Sequence, residues 1–259
     1  MNRRVDNGLG STTVAVMAAS LASRADLDGA IERIGRRFGT RAMLRGDAAE
    51  RQASERRFLT GTSFDRLAGG IRSGAPLAFV GQGSSGKLAL ALRAVAGAQC
   101  EGGHALWLDP TGSLDAGAAD RAGVDLERLI VVRARAREDV IRSAAAGLRS
   151  DGLRLVVVDT GCALAPAEVT ADQLAPLVPL VRGSTAALLV IADRAPARLA
   201  LPTYAFERVA WQRHFERTSG WSFSVSRGRR DAAIFQAGAL GRTFADSGLG
   251  PERAEGLAS

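Results

Sequence analysis

The run Gly81-Gln82-Gly83-Ser84-Ser85-Gly86-Lys87-Leu88 has the residue types and spacing to hold phosphate. It follows the apolar stretch Leu77 to Val80 and leads into the Ala- and Leu-rich segment Lys87 to Ala98. A glycine-rich loop between a strand and a helix is the context in which such a motif works. Its glycines let the backbone curl so that N–H groups face the ligand, and the helix N-terminus adds a favourable dipole. Lys87 would reach the β and γ phosphates of ATP, and it is the only lysine among 34 basic residues. Arginine's planar fork does not replace a compact ammonium there. Position 88 departs from the motif, which calls for a Ser or Thr hydroxyl on Mg²⁺, whereas Leu88 offers only carbon. Two readings stay open: a site that binds ATP weakly and holds magnesium poorly, or a relic loop that only packs or holds a stray anion. Asp159 closes the apolar run Leu155 to Val158. An acid at the end of a parallel strand faces a ligand crevice and in such ATPases holds Mg²⁺ through water.

These residues need a sheet to carry them, and the sequence supplies one. Leu77–Val80, Ala105–Leu108, Leu129–Val132, Leu153–Val158 and Ala186–Ile191 read as strands. Lys87–Ala98, Arg137–Leu148 and Leu174–Val181 read as helices, the last despite Pro176 and Pro179. That alternation predicts an α/β fold, a phosphate-loop core with a mostly parallel central sheet. Beyond residue 200, Phe206–Phe215, Ser222–Ser226 and Ala233–Gln236 alternate as strands of an antiparallel C-terminal extension, with a turn at Gly228–Asp231. At the other end, Leu27, Ile31, Ile34 and Phe38 recur at helical spacing. The expected organisation is an N-terminal arm, helix and linker over 1–57, the core over 58–236, and a flexible tail over 237–259.

The net charge of +7 makes polyanions, single-stranded DNA among them, the first partner class to weigh. Arg227, Arg229 and Arg230 surround the predicted turn, with Trp211, Arg213 and His214 on a nearby strand. Guanidinium and aromatic groups of this kind stack on single-stranded bases; the alternative is a solvated hairpin with Trp211 in the core. Cys100 and Cys162 form no close pair, which fits a reducing, cytoplasmic setting rather than a disulfide framework or zinc site. The short apolar stretch Val14–Ala22 is a poor signal peptide, and no run approaches the length of a membrane span.

Over roughly residues 25 to 237 the sequence resembles the bacterial RecA family. The resemblance rests on Ile31 to Gly39, Thr60 to Asp65, Gly83 to Lys87, Leu108-Asp109-Pro110, Leu114-Asp115, Ala122 to Leu129, and Val157 to Thr160 with Ala163 to Pro166 after it. It implies a RecA-like ATPase core. Three departures stand out. The family's catalytic glutamate, two residues after the acid matching Asp109, is Thr111 here. Its Asn-Gln γ-phosphate sensor is Ala192-Asp193, and its metal-binding hydroxyl is Leu88. A threonine cannot serve as general base on water. The segments matching the family's DNA-binding loops, 166–173 and 194–203, are short. A degenerate core of this kind is similar to ImuA-type accessory proteins of the damage-induced translesion mutasome. That similarity implies an adaptor or regulator in the SOS response, with RecA and translesion polymerase components as partners. Its contact surface would include Ile31, Ile34 and Phe38, and oligomers are within reach. The expectation is thus little or no ATPase activity, with an active DNA-dependent ATPase or a nucleotide-independent DNA-binding module as alternatives.

Overall fold

A computed structural model describes residues 29, 32, 33, 36, 56–160, 169, 171–195, 199, 201–214, 217–228, 231–238 and 244–250. The chain divides into two units, Met1–Gln52 and Ala53–Ser259. In the first, Gly29, Glu32, Arg33 and Arg36 are helical, and Arg36 donates to Glu32 one turn earlier at 2.7 Å. Ile31, Ile34 and Phe38, and with them the predicted contact surface, lie outside the described residues.

The second unit opens with a small antiparallel sheet of β1 (Arg57–Phe58) and β2 (Ile71–Arg72), with α1 (Phe64–Ala68) between them. The main sheet then assembles from β3 (Pro76–Val80), β4 (His104–Leu108), β5 (Leu129–Val132), β6 (Leu153–Asp159) and β7 (Ala187–Ala192). Four further strands complete it: β8 (Thr203–His214), β9 (Arg217–Arg227), β10 (Asp231–Gly238) and β11 (Phe244–Gly250). The order is β11-β10-β9-β8-β3-β7-β6-β4-β5. All pairings from β8 through β3 to β5 are parallel. The β8 to β11 pairings are antiparallel. This is the α/β architecture that the alternating pattern predicts.

Strand periodicity builds two cores, because successive side chains point to opposite faces. Leu155 and Val157 join Phe79, Trp107, Leu189 and Ile191 on one face, beneath α2 (Lys87–Cys100). Val156 and Val158 join Leu106, Leu108, Leu188 and Val190 on the other, with side chains of α4 (Arg137–Leu148) and α6 (Leu177–Arg182). Between β4 and β5 lies α3 (Ala116–Arg121), which the periodicity does not announce. Burial on both faces explains why the inner strands are nearly continuous apolar runs.

Two expectations are corrected. The single helix over Leu174–Val181 is two short ones, α5 (Ala171–Leu174) and α6, with Pro176 at the start of α6. Proline's fixed φ and missing N–H suit a helix start rather than an interior. Residues 244–250, placed in the flexible tail, form β11 on the edge of the sheet. Phe244 packs against Phe223 and Phe235. The Asp246 carboxylate accepts hydrogen bonds from the Ser63 backbone N–H and, at 2.6 Å, its hydroxyl.

Candidate functional site

Four parallel strands deliver their carboxyl ends to one edge of the sheet, bringing together the loop after β3, Asp109 after β4, Asp159 at the end of β6 and Asp193 after β7. That edge is where open α/β sheets form ligand crevices. The Gly81–Leu88 loop joins β3 to the N-terminus of α2, as its sequence predicts. It is anchored at its start by Gly81 N–H on the Ala192 carbonyl of β7 at 3.1 Å.

Within the loop, Gly83 and Ser84 are exposed, whereas Ser85, Gly86 and Lys87 are buried. Gly86 adopts φ +90°, and a Cβ there would lie 2.5 Å from the Phe223 ring of β9. At Gly81 a Cβ would meet the Phe206 carbonyl of β8 at 2.5 Å. The antiparallel extension therefore braces the loop from outside through Phe206 and Phe223, which stack with centroids 6.1 Å apart. Glycine at both positions is demanded by close approach, and at Gly86 also by a left-handed backbone.

Lys87 turns inward. Its ammonium donates to the Gly81 carbonyl at 2.5 Å, to the Asp193 carboxylate at 2.8 Å and, more weakly, to the Gly83 carbonyl at 3.4 Å. An ammonium has three donors, and three acceptors of the protein meet them.

Asp109 and Asp159 are tied together. Asp109 is fully buried and accepts from the N–H groups of Ser113 at 2.8 Å and Leu114 at 3.2 Å, folding the Pro110–Leu114 loop back on itself. Arg133 lies 3.7 Å from the same carboxylate. The Ser113 hydroxyl donates to Asp159 at 3.0 Å, bridging β4 and β6. Thr111, at the place of the expected catalytic glutamate, is exposed, with its hydroxyl 3.4 Å from Asp109.

Beside the loop is a cavity of about 330 Å³. Leu88, Leu92 and Arg93 of α2, Arg121 of α3, Trp221 of β9 and Phe244 of β11 are among its walls. Leu88 packs against the core beneath this cavity. Leu88 brings no oxygen to the position where the loop motif places a magnesium ligand, and the Lys87 ammonium is held by Gly81 and Asp193. No group of His, Cys, Asp and Glu able to hold a metal occurs among the described residues.

A family model described as the RecA N-terminal domain matches residues 25–182, more than half of the chain. The chain belongs to the RecA N-terminal domain family. It is 34% identical over 143 residues to Protein RecA of Rhodospirillum centenum, covering 54% of this chain and 40% of that protein. Against Protein RecA of Frankia alni the identity is 34% over 162 residues, 61% of this chain and 46% of the relative. With Protein RecA of Rubrobacter xylanophilus it is 36% over 152 residues, 57% and 44%. The chain thus spans less than half the length of these relatives. The family model ends at 182, so β7, Asp193 after it, and the bracing strands β8 to β11 lie beyond it.

The other predicted site residues separate. Arg227 is exposed on β9, with its guanidinium 5.8 Å from the Tyr204 ring. Arg229 and Arg230 lie outside the described residues. Trp211, whose alternative placement was the core, is 45% exposed on β8. It meets Trp221 edge-on with centroids 6.1 Å apart, and Arg208 lies 4.3 Å above its ring. Sequence reasoning missed Arg208, the Ser113 bridge and the Lys87–Asp193 contact. An acid in the sensor position, opposite the chain's only lysine, was the available signal for the last. No described helix is long and apolar enough to cross a membrane.

Proposed function

We propose that this RecA-type core has retired from ATP turnover. On this reading it works as an adaptor or regulator in the DNA-damage response and error-prone translesion synthesis, through protein partners such as RecA and the mutasome polymerases. The observation that carries the reading is the filling of the three turnover positions at one sheet edge. Leu88 offers no metal ligand, Thr111 offers no general base, and Asp193 holds the lysine instead of sensing a γ-phosphate. A fold kept with a packed core while its chemistry is dismantled serves by its surfaces. The similarity to ImuA-type proteins supplies the biological setting.

Co-purification of the tagged full chain with RecA and with each translesion polymerase component tests this. Retention of at least one partner at micromolar concentration is expected. Retention of none, with the chain folded, would remove the adaptor role. A second reading, a nucleotide-independent contact with single-stranded DNA, is supported by the exposed Arg208–Trp211 stack, since such platforms bind bases without sequence preference.

A further inference from the structure

The contact between Lys87 and Asp193 is more than the loss of a sensor. We propose that Asp193 is a built-in stand-in for a phosphate: its carboxylate holds the Lys87 ammonium and keeps nucleoside di- and triphosphates off the loop, so this one residue decides what the loop accepts. The inference rests on reading Gly81–Leu88 as a phosphate loop, as the proposed function does, but not on any partner.

Three features carry it. First, the contact is positioned by the sheet. Val80 and Ala192 are register partners on β3 and β7, and Gly81 N–H bonds to the Ala192 carbonyl. The residues that follow on each strand, the loop and Asp193, are therefore held side by side. Second, the pair is only partly solvated, with the Lys87 side chain 11% and that of Asp193 39% exposed. Solvent and salt weaken such a pair less than one between two exposed side chains. Third, the ammonium is saturated by Asp193, Gly81 and Gly83. A polyphosphate would have to displace the carboxylate and then lie against it, like charge facing like charge. A repulsive element aimed at one ligand class sets specificity as firmly as an attractive one.

Calorimetric titration of ATP and ADP, with magnesium, into wild type, Asp193→Asn and the Lys87→Ala/Asp193→Asn double variant tests the proposal. Asp193→Asn should bind both nucleotides about tenfold tighter or better, and the double variant should lose that gain. Equal affinities of wild type and a folded Asp193→Asn would overturn it. A second measurement needs no variant. Because Lys87 is the only lysine, ¹⁵N-lysine labelling gives one side-chain ammonium resonance. ATP should leave it in place in the wild type, and a shift on adding ATP would overturn the proposal. The outcomes separate from those of the adaptor reading: tighter binding by Asp193→Asn with no partner retained sinks the adaptor alone. A retained partner with no gain in binding sinks the phosphate stand-in alone.

Discussion

The Asp193 carboxylate, just past the end of β7, sits 2.8 Å from the ammonium of Lys87, which opens the helix after the adjacent parallel strand β3. On the proposal above, this anion of the protein stands where the loop's lysine would otherwise meet a ligand's phosphate. Elsewhere on this sheet edge Asp109 folds its own loop, Ser113 ties Asp159 to it, and Phe223 braces Gly86. The consequences can be measured.

The bracing of the loop should show in two glycine substitutions of unequal cost. Gly86→Ala meets the Phe223 ring and a φ of +90°, so it should destabilise by about 2–4 kcal/mol. Gly83→Ala has φ +54° and nothing within 4 Å, so only the backbone term of about 1 kcal/mol applies. Urea unfolding of both variants checks this. Equal losses would mean that Phe223 does not press on the loop.

Asp109 is the buried hub of the Pro110–Leu114 loop. Asp109→Ala removes the acceptor of two backbone N–H groups and should lower the unfolding free energy by about 2–3 kcal/mol. Ser113→Ala, which removes the bridge to Asp159 and a longer hydroxyl contact with Asp109 but keeps the backbone N–H bonds, should cost about 1 kcal/mol. Thermal melting that leaves Asp109→Ala within a degree of wild type would contradict this account of the loop.

Tyr204 gives a pH signature. Burial pushes its phenol above the ordinary value, offset in part by the nearby Arg227 guanidinium. A raised folded-state pKa contributes stability that is complete below the unfolded value of about 10 and is lost as pH rises through the folded one. Stability should therefore fall in strong alkali, and Tyr204→Phe should lessen that fall. Tyr204 is the only tyrosine, so tyrosinate absorbance reports it directly. Ordinary titration of the folded protein near pH 10 would contradict its burial against Phe64 and Phe79.

The exposed Arg208–Trp211 stack should make single-stranded DNA binding weak and salt-sensitive. Trp211→Ala and Arg208→Ala should each reduce it several-fold, since stacking is worth about 1–3 kcal/mol per base. Fluorescence anisotropy with a labelled oligonucleotide at two salt concentrations reads this. Binding that neither substitution changes would place any DNA contact elsewhere.

Much of this architecture is legible in the sequence because the inner strands are apolar on both faces and the loop motif fixes a strand-to-helix junction. Leu129–Val132 and Arg137–Leu148 fall where the periodicity puts them. What escapes is decided by contacts between distant residues. Strand β11 hides in a Gly- and Ala-rich segment whose order comes from Phe244 packing and the Asp246 contact with Ser63. Irregular register between β8 and β9 after Arg208 pairs Trp211 with Trp221, a contact that no alternation pattern reports. Asp193 is identifiable by position, but the direction of its carboxylate depends on the alignment of β3 with β7.

The most direct test of the central claim is ATP turnover by the purified chain, with and without single-stranded DNA, beside Lys87→Ala. With Leu88, Thr111 and Asp193 in the turnover positions, release of phosphate should be indistinguishable from buffer in every sample. Turnover that DNA stimulates and Lys87→Ala abolishes would contradict the account and make this chain a working ATPase.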